Sequence, residues 1–112
     1  MGTATKADQL QGALDLLVLR VLSSGESLHG YSITEQIHRV SEDVLRVQEG
    51  SLYPALHRME EAGWVRSRWG VSENNRRARY YAITAAGRKY LDTLERNWTK
   101  HVEAVKRVLK LA

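Results

Sequence analysis

Five arginines bracket one short polar stretch of this chain, with Arg66 and Arg68 on one side and Arg76, Arg77 and Arg79 on the other. Between Trp64 and Tyr80 they stand against a single acid, Glu73. That segment therefore carries an excess of +4, equal to the net charge of the whole 112-residue chain. The remainder is balanced, so the basic surface is local. Guanidinium groups clustered in this way suit phosphate, which they grip bidentately, or the minor groove of a duplex. Scattered charge is more plainly read as a solvated strand face. What favours phosphate is the stretch just upstream, EGSLYPALHRMEEAGW, from Glu49 to Trp64. There Leu52, Ala55, Leu56 and Met59 form one apolar stripe at helical spacing, leaving Ser51, Tyr53, His57 and Arg58 off it. Ser51 and the first amides of such a helix suit a phosphate. His57 and Arg58 are placed to reach base edges or phosphates. Tyr53 either does the same or caps the core.

These side chains need elements to hold them. Pro54 lacks an N–H and fits only the first turn of a helix or just after it, which puts the start near Gly50 or Ser51, capped by Glu49 or Ser51. Gly63 ends that helix. Trp64 to Trp69 then alternates as WVRSRW, with Val65, Ser67 and Trp69 on one face and Arg66 and Arg68 on the other. After a turn-rich GVSENN, Arg76 to Ile83 reads as a second strand, with Tyr81 and Ile83 directed at the helices. A two-stranded hairpin is marginal alone and must lean on them.

Upstream, Leu10 to Ser24 is a helix that is apolar nearly all round, interrupted after Gly12 only by Asp15 and Arg20 before the closing serines. Such a helix must be covered on more than one side. Leu14, Leu17, Val18, Val21 and Leu22 can face the core. Ala13, Leu16 and Leu19 need a second cover, from another subunit or from the hairpin or last helix of the same chain. Gly25 stops this helix, and Ser27 is a candidate cap for the next, Tyr31 to Val40, whose Ile33, Ile37 and Val40 share a face. Val44, Leu45 and Val47 are expected to anchor the following loop in the core. At the other end, Thr84 is expected to cap a helix running to about Lys110, roughly 40 Å long. Leu91, Leu94, Trp98, Val102, Val105 and Leu109 make one apolar stripe along it. A core of this size cannot cover so long a helix, so its distal half should pack on a partner. Trp98 there is either packing or one wall of an aromatic slot made with its symmetry mate.

The expected fold is mainly α with a small β-hairpin: a winged helix-turn-helix with a long C-terminal dimerisation helix. Residues 1–8 read as a loose leader, 9–83 as the DNA-binding domain and 84–112 as the dimerisation helix. A composition of 43% hydrophobic and 27% charged residues fits a soluble globular protein. With no cysteine there is no disulfide or thiolate metal site. No apolar run approaches the ~20 residues that span a bilayer, and the N-terminus lacks a signal-peptide core, so a cytoplasmic protein is expected. His29, His38, His57 and His101 are far apart and show no ligand spacing. No Gly-rich phosphate loop or nucleophile elbow appears. Neither metal, cofactor nor catalysis is expected.

The runs GSLYPALHRMEEAGWV and NNRRARYYAITAAGRKYL, with Trp69 between them, closely resemble the PadR-like transcriptional regulators of bacteria. Leu14 to Leu22 and the tripeptide His29-Gly30-Tyr31 are similar to the family's opening, and the resemblance extends from about Leu10 to Leu109. A single helix after the wing matches the compact subgroup. The resemblance implies a homodimer on double-stranded operator DNA, usually a repressor released by a small, often aromatic, effector. It implies that the first and last helices form the dimer, through Leu16, Leu19, Leu91, Leu94, Trp98, Val102, Val105 and Leu109. Trp98 looks like the position where some compact members hold flat ligands between paired tryptophans. The chain departs from the family at Asn75 and Ala78-Arg79, where Gly and Lys are common, and at Ser51, where Thr is usual. Two rival readings are a small-molecule-binding dimer and a protein-interaction module, with DNA binding secondary or lost.

Overall fold

The computed structural model describes residues 6–110. Four helices surround one core: α1 (Lys6–Leu22), α2 (Gly30–Val40), α3 (Glu49–Glu61) and α4 (Ala85–Leu109). A three-stranded antiparallel sheet of β1 (Leu28–His29), β2 (Val65–Val71) and β3 (Arg77–Ile83) lies beside them in the order β1-β3-β2. This is the winged-helix arrangement expected, with the wing formed by β2 and β3.

Helix α1 begins at Lys6, four residues before the expected Leu10, and so takes in the end of the expected leader; residues 1–5 lie outside the described residues. It touches α2, α3, α4 and β3. That central position explains why Leu19, expected to need a second subunit, has no exposed surface within one chain. Leu91 of α4 is likewise buried, at 6% exposed, and both are core residues rather than interface residues. Leu16 and Leu94 are partly buried against the same core.

Helix α2 is capped by His29, whose Nδ1 accepts from the Ser32 amide at 3.3 Å, and not by Ser27. The cap falls two residues late because Leu28 and His29 are drawn into the sheet, pairing with Tyr81 and Tyr80. A two-residue strand has no periodicity to betray it. Val40, the last residue of α2, is exposed rather than buried; past it the chain turns through Glu42 and Asp43, both at positive φ, which leaves Val44 and Leu45 exposed instead of in the core. Only Val47 of the expected anchors packs inward, its amide donating to His38 Nε2 at 2.8 Å.

Helix α3 starts at Glu49 with Gln48 as its cap, and no side chain caps it. Leu52, Ala55, Leu56 and Met59 bury as one stripe, as their spacing requires. Gly63, at φ 84°, supplies the left-handed residue that ends the helix and starts the wing. Thr84 closes the wing at its other end, its Oγ1 donating to the Gly63 carbonyl at 2.6 Å and accepting from the Gly87 amide at 3.0 Å. A side chain at Gly87 would collide with the Trp64 carbonyl, so α4 leaves the sheet in close backbone contact. Beyond Leu94 the apolar stripe of α4 is largely uncovered: Trp98 is 49%, Val105 42% and Leu109 60% exposed.

Candidate nucleic-acid interface

The N-terminal half of α3 presents Ser51, Tyr53, Pro54 and His57 to solvent. Gly30 makes room for Tyr53, whose phenol ring lies where a Cβ on Gly30 would be. Burial, and then the charge of Glu49, push the Tyr53 phenol up, so it stays a neutral donor. His57 Nε2 sits 3.1 Å from Glu61, an exposed pair that forms a salt bridge only when the imidazole is protonated and contributes little.

Arg58 does not join this surface. Its Nη1 and Nη2 donate to the two Asp15 oxygens at 3.1 and 2.6 Å. Asp15 is 2% exposed and also lies 3.4 Å from the Tyr90 hydroxyl. The hydrogen bond to Asp15 is the main cause raising the Arg58 pKa, against the opposing effect of burial. Burial and Asp15 raise that of Tyr90, which remains a donor. The helical wheel places Arg58 off the apolar stripe. Its long side chain nevertheless folds back to the buried Asp15 carboxylate, so it latches α3 to α1 and α4.

On the wing, the expected alternation holds, and cross-strand register completes each face. Ser67 pairs with Tyr81, Trp69 with Arg79 and Val71 with Arg77. The Trp69 ring carries two guanidiniums, Arg77 at 4.4 Å and Arg79 at 5.4 Å from its centroid. Arg68 belongs to the opposite face, 5.2 Å over the Tyr80 ring. Arg66 and Arg76 are exposed. The five arginines are thus split between two faces of the hairpin. Arg76, Arg77 and Arg79, with Trp69, line one side of a cleft of about 700 Å³ whose other side is Tyr31, Ser32 and Tyr53. Asn75 takes φ 58° in the turn, a conformation that asparagine tolerates better than most residues, so the absence of glycine there is accommodated.

A basic wing and the exposed start of a helix therefore border one cleft, in a fold with a long, half-uncovered last helix. The sequence model of the transcriptional regulator PadR-like family matches residues 18–93. This chain belongs to that family. It is 26% identical over 100 residues to an uncharacterized protein of Lysinibacillus sphaericus, covering 89% of this chain and 91% of that one. Among solved structures it is similar to a transcriptional regulator from Clostridium thermocellum, at 31% identity and a TM-score of 0.74 over 92% of this chain and 95% of the other. A PadR-like transcriptional regulator from Bacillus cereus strain ATCC 14579 gives 27% identity and a TM-score of 0.73 over 90% and 95%. Among the described residues of this PadR-like protein, no helix is long and apolar enough to cross a membrane and no acid–histidine group could hold a metal.

Glu60 is the residue that the pattern left out. It lies in the last turns of α3, yet it is hydrogen-bonded to Ser67 and paired with Arg79 of the wing. The only signal for this was the turn at Gly63, which folds the wing back toward the end of α3.

Proposed function

We propose that this PadR-like regulator binds operator DNA as a homodimer. In this reading α3 enters the major groove with Ser51, Tyr53 and His57 at its exposed start, and the wing arginines hold the adjoining backbone or minor groove. The observation that carries it is the shared cleft: Arg76, Arg77 and Arg79 on one side, Tyr31, Ser32 and Tyr53 on the other. A duplex whose major groove holds α3 must pass its backbone across that cleft to reach the wing. Arg66 and Arg68, on the other face, would meet phosphates farther along or none.

The dimer is supported by the uncovered face of α4 at Trp98, Val105 and Leu109. It is also supported by an apolar groove of about 710 Å³ along α1, lined by Leu14, Leu17, Leu45, Val47 and Pro54. Leu16, Leu94 and Val102, partly covered within one chain, would complete the interface. Two recognition helices set roughly 34–36 Å apart would then meet successive half-sites. We further propose repression, with release by a flat aromatic effector against Trp98: a ligand that changes the α4 pairing would change that separation.

Fluorescence anisotropy on a duplex from the protein's own promoter tests this. Arg76→Ala/Arg77→Ala should bind about tenfold or more weakly, and its plot of log affinity against log salt should be flatter by roughly two units, one per lost phosphate contact. An unchanged affinity and slope would remove the wing from the interface. Planar aromatic compounds added to the wild-type complex should release the DNA, and failure of a broad panel to do so would remove the effector.

A further inference from the structure

A turn at Gly63 joins the wing to α3, and a turn alone leaves the angle between them free. In this chain a side-chain path spans the gap. Ser67 Oγ donates to Glu60 Oε2 at 2.5 Å, and Arg79 Nε donates to Ser67 Oγ at 2.9 Å. Arg79 Nη2 lies 3.6 Å from the same Glu60 oxygen. Arg79 also lies over the ring of its cross-strand partner Trp69, 5.4 Å from the centroid, and the same ring carries Arg77 at 4.4 Å. The path runs unbroken from the end of α3 to the outer arginine of the wing. Cation–π attraction to a ring spends no hydrogen-bond acceptor, so Arg77, held 4.4 Å from the Trp69 centroid, remains able to donate to a phosphate.

The presence of Glu60 needs a reason, because an acid beside a DNA-binding surface repels the backbone and lowers affinity. The geometry points to Glu60 as a positioning residue: through Ser67 and Arg79 it sets the angle of the wing against α3, with Trp69 as the platform that aims Arg77. Arg79 is then a strut, partly neutralised by Glu60, and Arg77 is the arm that grips. This assignment rests on the DNA-binding reading above and sharpens it, since it separates the arginines of one cleft into two roles.

The test uses Glu60→Gln, which keeps the size and the acceptor for Ser67 but cannot form the ion pair, and Trp69→Ala, which changes no charge. Glu60→Gln should bind promoter DNA about threefold more weakly than wild type, although it removes a negative charge from the DNA side. Equal or tighter binding would overturn the tether. Trp69→Ala should bind about fivefold more weakly, and Trp69→Phe should stay within about twofold of wild type, because the ring restores the platform. Trp69→Ala at wild-type affinity would overturn the platform. A second readout needs no DNA: the Arg79 Nε–H resonance of the free protein should exchange slowly with water in wild type and rapidly in Ser67→Ala, which removes the hydroxyl that accepts from it and breaks the path to Glu60. If wild type fails to bind DNA, the DNA-binding reading falls and this resonance alone decides the tether: loss of protection in the variant upholds it, and unchanged protection overturns it.

Discussion

Arg58→Ala is expected to lower the unfolding free energy by about 3 kcal/mol, and Asp15→Ala by no more than about half of that. The asymmetry comes from burial. Asp15 is 2% exposed, whereas the Arg58 side chain keeps 36% of its surface. Without Arg58, a carboxylate is stranded in the core with the Tyr90 hydroxyl at 3.4 Å as its nearest support. An unpaired buried charge is far costlier than a lost pair. Without Asp15, the guanidinium can swing to water. Urea unfolding at one fixed protein concentration measures both losses, the fixed concentration being needed because association would stabilise the folded state. Equal losses, or a larger one for Asp15→Ala, would contradict the latch. The pair also bears on function. It joins α1, α3 and Tyr90 of α4, so the helix proposed to read DNA is fixed to the helices proposed to form the dimer.

The second large effect is expected on α4. Trp98→Asp/Val105→Asp should convert a dimer into a folded monomer and weaken binding to a two-half-site duplex by more than about a hundredfold. Both side chains are substantially exposed in the single chain, at 49% and 42%, so charging them should cost the monomer fold little. The same charges placed in an apolar subunit interface would be severe. The loss in affinity follows from connectivity: one half-site held through the dimer makes the second contact intramolecular, and a monomer forfeits that advantage. Sedimentation velocity reads the assembly, and circular dichroism checks the fold. A wild-type monomer, or a variant that stays dimeric, would refute the role given to this face.

The parts of the fold that local chemistry dictates were legible in the sequence. Pro54 placed the start of α3 within two residues of Glu49, Gly63 marked its end, Thr84 capped α4, and the alternation through WVRSRW placed Val65, Ser67 and Trp69 on one face. The family motifs were equally plain, because they lie in these same segments. What stayed hidden depended on neighbours. A helix apolar all round, like α1, has no preferred direction on a helical wheel, so Leu19 could be assigned to a partner as readily as to its own core. Asp15 looked like an interruption in that helix and is one of its most buried residues. Arg58 is off the apolar stripe at its Cα, and its flexible stem carries the guanidinium back to a buried carboxylate that the helical wheel does not show. Val44 and Leu45 were read from hydrophobicity alone, which the positive φ of Glu42 and Asp43 overrides. Of the site, the arginine cluster was visible as a sum, while its division between two faces came only with the register of β2 on β3.

Binding to the promoter duplex and to a scrambled duplex of equal length, in the same salt, tests the central claim most directly. A sequence-specific regulator should prefer the promoter by about a thousandfold or more at physiological salt, with affinity for both duplexes falling steeply as salt rises. Equal affinity for the two sequences, or binding indifferent to salt, would contradict it.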